Sequence, residues 1–137
     1  MKNFDWDIHL VSDEYANNEQ TFRNAMCDAH THGLGKYGSL EIQFILAYPS
    51  NAIGYLLNTV AESIQNGLKL EDGDMLTGLC DDDAALKVFK TTDCYGEPIF
   101  RLVMPDGDMK YPEESNEYPY NMQYDSPYLT NIGKKNS

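Results

Sequence analysis

Residues 49–67 constrain the fold of this chain more than any other segment, because they specify an amphipathic helix with a start and a stop. Pro49 and Ser50 suit the first turn, with Ser50 as the predicted N-cap residue. Gly67 suits the position just after the last turn, where a left-handed backbone is common. Apolar residues between them recur at the spacing of one buried helix face, at Ile53, Leu56, Leu57, Val60 and Ile64. The sequence therefore predicts a helix over about 50–66 that packs on a sheet through this face.

Segments of extended character surround this helix, because apolar and polar residues alternate or β-branched residues are frequent. The predicted strands are 6–11, 29–34, 40–48, 75–79, 86–92 and 98–104. The second and third are separated by glycines that suit the turn of a hairpin. Residues 14–24 are predicted as a short helix or a long loop. The result is an α+β domain with an antiparallel or mixed sheet of about five or six strands.

The C-terminal part of the chain is rich in tyrosine and proline. Residues 109–129 hold five tyrosines, together with prolines that cannot donate a ladder hydrogen bond. Because aromatic rings are costly to leave in water, we predict an extended segment that wraps over the domain. One domain thus spans residues 1–129, and residues 130–137 are predicted to be a disordered tail.

Charge and composition exclude several classes of function. The chain of 137 residues carries a formal net charge of −12, so it repels phosphate backbones and anionic membranes and attracts basic partners. Its longest strongly apolar run, 44–47, is far shorter than the roughly 20 residues of a spanning helix, and its first residues lack a signal-peptide core. Three cysteines without a Cys-x-x-Cys spacing favour a reducing compartment. We predict a cytoplasmic protein that binds neither nucleic acid nor membrane.

Cys27, His30 and His32 form the sharpest local cluster of metal-ligand residue types. In a strand, His30 and His32 lie on one face and Cys27 on the other, so the three cannot converge on one ion. A third ligand is left open among four residues, namely Cys80, Cys94, His9 and Glu41. Because two ligands do not make a zinc site, the prediction is no metal and no cofactor. His30, His32 and Glu41 remain candidates for lining a cleft.

Acidic residues cluster at 81–83 and at 113–117. An EF-hand loop that began at Asp81 would need glycine at its sixth position and glutamate at its twelfth, so calcium is not predicted. The first cluster is predicted to cap a short helical turn or to form a solvated acidic loop. Glu41, next to a glycine turn, is predicted to cap backbone N–H groups or to line a cleft, with the capping role favoured.

Three segments in a fixed order carry a family resemblance: Ala-His-Thr-His-Gly-Leu at 29–34, Gly-Ser-Leu-Glu and the next strand at 38–46, and Leu-Val-Met-Pro-Asp-Gly-Asp-Met-Lys-Tyr-Pro at 102–112. Together with Asp5-Trp6 and the closing Ser-Pro-Tyr-Leu, this order resembles the bacterial domain-of-unknown-function family 4262 over nearly the whole chain. The family carries no established activity, so the resemblance implies no function.

This sequence differs from the family pattern at two places. Relatives tend to have an aromatic residue and a β-branched aliphatic residue where His30 and His32 stand, which makes these histidines local substitutions. The family's His-Pro pair is replaced by Ser39 and Leu40, so a general-base role for that family histidine is absent here.

The sequence contains no catalytic constellation and predicts a non-catalytic protein-binding module, such as a toxin-immunity-type protein that neutralises a basic partner. The predicted contact residues are acids and tyrosines of the two acidic segments: Asp81, Asp82, Asp83, Glu113, Glu114, Tyr118 and Tyr120. The alternative is an enzyme or a small-ligand- or metal-binding domain with a cleft near residues 30–41. No oligomeric state is predicted, since the sequence shows neither heptads nor a clear apolar patch.

Overall fold

The long helix forms where the sequence predicts it. In the computed structural model, which describes residues 4–12 and 22–129, helix α1 spans Ser50–Gln65. The start differs from the prediction by one residue: Pro49 is the N-cap residue, because its carbonyl already accepts the first helical hydrogen bonds, and Ser50 is the first helical residue. The end agrees with the prediction, since Gly67 has a φ of 111° and its N–H group bonds back into the last turn.

Six strands form one mixed sheet, which confirms the predicted fold class. The strands are β1 (Asp7–Val11), β2 (Met26–His32), β3 (Ile42–Leu46), β4 (Met75–Leu76), β5 (Leu86–Thr92) and β6 (Pro98–Val103). Their order across the sheet is β1-β2-β3-β6-β5-β4. Every neighbouring pair is antiparallel except β3 and β6, which are parallel. After β3 the chain crosses through α1 to β4 at the far edge of the sheet and then returns through β5 to β6, beside β3.

The structure confirms the predicted hairpin, but the fourth strand is shorter than predicted. Strands β2 and β3 pair antiparallel, as predicted, and a short 3-10 helix, Leu34–Tyr37, lies between them. The sequence predicts an extended segment over 75–79, but β4 ends at Leu76. Gly78 explains the early end, because its φ of 81° turns the chain out of the extended conformation.

Helix α1 covers one face of the sheet and forms the hydrophobic core with it. The apolar face of α1 is buried as predicted, with Leu57 and Val60 exposed by 0% and 2%. Alternate residues of the central strands supply the other side of the core, namely Ile42, Phe44, Leu46, Leu86, Val88, Phe100 and Leu102. The period of two along each strand leaves the intervening residues on the opposite face.

The C-terminal segment covers that opposite face. Arg101 of β6 is buried there and donates from Nη1 to the carbonyl oxygens of Gln123 and Asp125, each at 2.8 Å. Gln123, also fully buried, bonds to both the N–H and the carbonyl of Met104 at the end of β6. A short 3-10 helix, Tyr120–Met122, precedes these contacts. Residues 109–129 therefore pack on the sheet and have little regular structure, as the sequence predicts.

Two predictions fall on residues that the structure does not describe. The short helix or loop at 14–24 lies largely within residues 13–21, and the tail at 130–137 lies wholly outside the described residues. Among the residues that are described, no helix is both long and apolar enough to cross a membrane.

Candidate functional site

An open groove of about 540 Å³ lies between the first half of α1 and the loop that follows β4. Leu56 and Met104 form a buried apolar floor, exposed by 5% and 7%, whereas Tyr55 stands 58% exposed on the rim. The lining also includes Asp81 and Asp82, both exposed. No lysine or arginine is among the residues that line the groove.

Local hydrogen bonds shape the acidic side of the groove. Asp82 accepts the N–H of Ala84 through Oδ1 at 3.2 Å, and Asp83 adopts a φ of 63°. These two features turn the chain sharply before β5, so the first acidic cluster forms a solvated turn with one carboxylate bonded to the backbone. The turn holds Asp81 and Asp82 beside the apolar floor of the groove.

The other polar groups of the groove are suited to binding rather than to nucleophilic chemistry. Burial, followed by the nearby carboxylates of Asp82 and Asp81, raises the pKa of the Cys80 thiol. Burial and the hydroxyl of Tyr120 likewise raise the pKa of Tyr48, whose hydroxyl lies 3.0 Å from that of Tyr120. Both groups therefore stay neutral near pH 7, which leaves Cys80 without the thiolate that a nucleophile needs.

None of the second set of predicted contact residues is among the residues that line the groove. Glu113 accepts hydrogen bonds from Tyr124 at 2.7 Å and from Lys87 at 3.2 Å, and the first of these is the main reason its pKa is lowered. Tyr118 donates its hydroxyl to the carbonyl of Asn24. Of the predicted residues Glu113, Glu114, Tyr118 and Tyr120, only the last reaches the groove, through its hydroxyl contact with Tyr48.

A histidine cluster forms on the sheet face opposite α1, at the β1 edge. His9 of β1 lies directly across from His30 of β2, and His32 follows two residues later on the same face. The ring centroids lie 5.5 Å apart for His9 and His30, 4.7 Å for His9 and His32, and 5.8 Å for His30 and His32. One ligand nitrogen from each ring lies within 4.8 Å of the others. These are all three histidines of the chain.

A buried carboxylate supports one of these rings. Asp28 is 3% exposed, and its Oδ1 lies 3.1 Å from Nδ1 of His30. Burial alone would raise the pKa of Asp28, but hydrogen bonds from His30, Gln43 and Tyr128 outweigh it and lower the pKa. The same hydrogen bond raises the pKa of His30 despite partial burial. An ionised Asp28 can only accept, so Nδ1 of His30 carries a proton and Nε2 faces away from Asp28.

Arg101 and Gln43 complete the polar network around Asp28. Gln43 donates from Nε2 to Asp28 Oδ1 at 2.9 Å and accepts from Nε of Arg101 at 2.8 Å, so it bridges the two charged groups. Burial lowers the pKa of Arg101 to about 10, so the guanidinium remains charged near neutral pH. Tyr128 completes the set by donating to Oδ2 of Asp28 at 2.7 Å.

The hydrogen bonds of Glu41 go to Thr31 and to the backbone after β2, and none of them goes to a histidine of this cluster. Its carboxylate accepts from Oγ1 of Thr31 at 2.8 Å and from the N–H groups of Gly33 and Leu34. Thr31 points to the opposite face of β2 from the histidines, so Glu41 caps the 3-10 helix and does not join them. Cys27 also lies on that opposite face, where burial raises the pKa of its thiol to about 12.

Sequence reasoning missed the buried network, although a signal for it exists. Asp28, Gln43 and Arg101 are polar residues within otherwise apolar strand segments, Met-Cys-Asp-Ala, Ile-Gln-Phe-Ile and Phe-Arg-Leu-Val. A polar residue in the middle of a central strand is expected to be buried with a polar partner. That pattern identifies the three residues, but only the register of the strands brings them together.

The groove and the histidine cluster offer different chemistry. The groove presents an apolar floor with carboxylates and an exposed tyrosine, which suits a peptide or protein surface. The cluster presents three imidazoles, which suit a transition-metal ion. Compared with known protein families, curated proteins and solved structures, the chain matches none.

Proposed function

We propose that this protein is a non-catalytic binding module of the toxin-immunity type and that it binds a basic partner protein through the groove. The observation that carries the proposal is the placement of Asp81 and Asp82 beside an apolar floor, with no basic residue among the lining residues. A partner segment that fits must combine an apolar anchor with lysine or arginine.

The net charge of the whole chain also supports binding to a basic partner. A net charge of −12 produces a negative potential that attracts cationic proteins over several ångströms and speeds their association. Glu113 of the second acidic segment is already paired with Lys87, whereas no lysine or arginine lines the groove beside Asp81 and Asp82. The groove is therefore the site where steering by charge and apolar burial coincide.

Tyr55 supplies the contact most suited to an interface. Its side chain is 58% exposed on the rim, although its neighbour Leu56 is almost fully buried. Tyrosine is enriched in protein interfaces because it adds a large, rigid contact area with a polar end. We expect Tyr55 to cover the anchor side chain of the partner and to exclude water from the nearby carboxylate contacts.

The experiment measures binding of a short synthetic peptide of alternating leucine and lysine by fluorescence anisotropy. The double variant Asp81→Asn/Asp82→Asn should bind about tenfold more weakly, which is about 1.4 kcal/mol. The control is Asp108→Asn/Glu114→Gln, which removes the same charge from two exposed residues that do not line the groove. Equal weakening by both double variants would show that net charge alone attracts the peptide and would overturn the proposal.

A second arm separates the apolar contribution from the charge. Tyr55→Ser should lower the affinity for the same peptide to a similar extent at low and high salt, because salt does not screen the burial of apolar area. The effect of Asp81→Asn/Asp82→Asn should shrink as salt rises. If Tyr55→Ser leaves the affinity unchanged, the groove is not the contact surface.

The predicted cytoplasmic location is part of the proposal. All three cysteines are free in the structure, which accords with a reducing compartment. The resemblance to family 4262 also remains a prediction, and it adds no activity to the proposal.

A further inference from the structure

We propose that His9, His30 and His32 form a binding site for one divalent transition-metal ion of the zinc class. None of these residues lines the acidic groove, so the site is independent of the proposed protein-binding function. The sequence alone brings only two ligands together and predicts no metal. The register of β1 supplies the third ligand, since His9 lies opposite His30.

The spacing of the three ligand atoms fits an ion after a small adjustment. Zinc–nitrogen bonds of about 2.0–2.1 Å place tetrahedral ligand nitrogens roughly 3.4 Å apart. In the structure the three nitrogens lie within 4.8 Å of one another. His9 and His32 are exposed, so solvent leaves space for their side chains to change rotamer, whereas the backbone positions are held by the β1–β2 ladder. Side-chain rotation can therefore close the remaining distance without moving the strands.

Asp28 acts as the positioning residue of this site. Because the carboxylate accepts the proton on Nδ1 of His30, the neutral form of that ring has its lone pair on Nε2, which is then the atom that can bind a metal. Ligating histidines commonly donate their other ring N–H group to a carboxylate in this way. The carboxylate is itself fixed by Gln43 and Tyr128, so the His30 ring has one preferred orientation.

The ligand types select the class of metal. Three imidazoles suit zinc, cobalt, nickel or copper ions, whereas magnesium and calcium prefer oxygen ligands. Three protein ligands leave a coordination position for water or a small anion, which is the arrangement of open zinc sites. His9 and His32 face solvent, so the metal ion can enter from the exposed edge of the cluster and water can reach the open coordination position.

The first experiment titrates metal-free protein with zinc chloride and follows the imidazole rings by long-range ¹H–¹⁵N NMR. Since the chain has three histidines and all belong to the cluster, every ring signal is a direct readout of the site. We expect all three sets of signals to shift with one equivalent of zinc, and His30 to bind through Nε2. If zinc binds without shifting the rings, the ion is held by other side chains, such as surface carboxylates or a cysteine thiol, and the proposal is wrong.

Variants test the ligands by isothermal titration calorimetry with zinc. His32→Ala and His9→Ala, each at an exposed position, should fold normally by circular dichroism and bind zinc at least about tenfold more weakly. Cys80→Ser is the control, because it removes a metal-binding side chain outside the cluster and should leave the affinity unchanged. Weakening by Cys80→Ser but not by His32→Ala would assign zinc to the thiol and overturn the proposal. An absence of zinc binding by the wild-type protein would overturn it as well.

Discussion

The hydroxyl of Tyr128 donates to Oδ2 of Asp28 at 2.7 Å, joining the C-terminal segment to β2 across 100 positions in the chain. Both side chains are buried, with Tyr128 4% and Asp28 3% exposed. The Tyr128 ring also packs on Phe22, with ring centroids 4.7 Å apart. Burial and the Asp28 carboxylate raise the pKa of Tyr128, so it remains a hydrogen-bond donor. This contact holds the end of the C-terminal segment on the sheet.

Replacing Tyr128 with phenylalanine should reveal the strength of this contact. Tyr128→Phe keeps the ring but removes one of the hydrogen bonds to a buried carboxylate, so we expect a loss of about 1–3 kcal/mol in the free energy of unfolding. Urea denaturation of the variant and of the wild type measures this loss. Tyr124→Phe is the matched control, because that hydroxyl bonds to an exposed glutamate and an exposed pair is worth less than about 1 kcal/mol. Equal losses in the two variants would contradict a special role for Tyr128.

Arg101 is expected to be among the least replaceable residues of the sheet. It is 2% exposed and donates to Gln43, Gln123 and Asp125. Arg101→Ala leaves those acceptors and the Asp28 charge without the guanidinium, so it should cost about 3–5 kcal/mol. The control Lys90→Ala, at an exposed position of β5, should change stability by less than about 0.5 kcal/mol. Thermal or urea unfolding that shows a similar small change for both would contradict this account.

The sequence predicts the parts of the fold that depend on local periodicity. The buried face of α1, the stop at Gly67 and the hairpin of β2 and β3 follow from spacing that can be read along one segment. Strand β4 is shorter than predicted because Gly78 takes a positive φ, and a sequence pattern does not show the backbone angle of a particular glycine.

The candidate sites depend on contacts between distant segments, which periodicity does not specify. His9 was one of four candidates for a third ligand, and only the pairing of β1 with β2 places it opposite His30. The bridge from Arg101 through Gln43 to Asp28 likewise needs three neighbouring strands in one register. That Asp81 and Asp82 line the groove and Glu113 does not could not be predicted either, because it depends on the path of the C-terminal segment.

Gly33 is expected to be essential for the turn after β2. Its φ is 119°, and an added Cβ would lie 3.1 Å from the carbonyl oxygen of Asp5 and 3.2 Å from the Cα of Trp6. Both the backbone conformation and the contact with backbone atoms disfavour alanine, so Gly33→Ala should lower the free energy of unfolding by more than about 2 kcal/mol. Gly35→Ala is the control, since nothing lies within 4 Å of its Cβ position. A loss as large at Gly35 would contradict the steric explanation.

The turn after β6 is held by the carboxylate of Asp106. Its Oδ2 accepts from Ser115 Oγ at 2.6 Å, and its Oδ1 accepts the N–H groups of Asp108 at 2.8 Å and Lys110 at 3.0 Å. The Ser115 hydrogen bond, followed by that of Lys110, lowers the pKa of Asp106. The carboxylate thus fixes the start of the C-terminal segment.

This lowered pKa predicts how stability depends on acid. Because folded Asp106 holds its proton less tightly than unfolded Asp106, its contribution is fully present above the ordinary aspartate pKa of about 3.9 and is lost as the pH falls through the folded value. Asp106→Asn should therefore be less stable than wild type at pH 7, and the difference should narrow at strongly acidic pH. Urea unfolding at several pH values measures this difference, with Asp108→Asn as the charge-matched control. A gap that stays constant with pH would mean that the ionised carboxylate does not stabilise the turn.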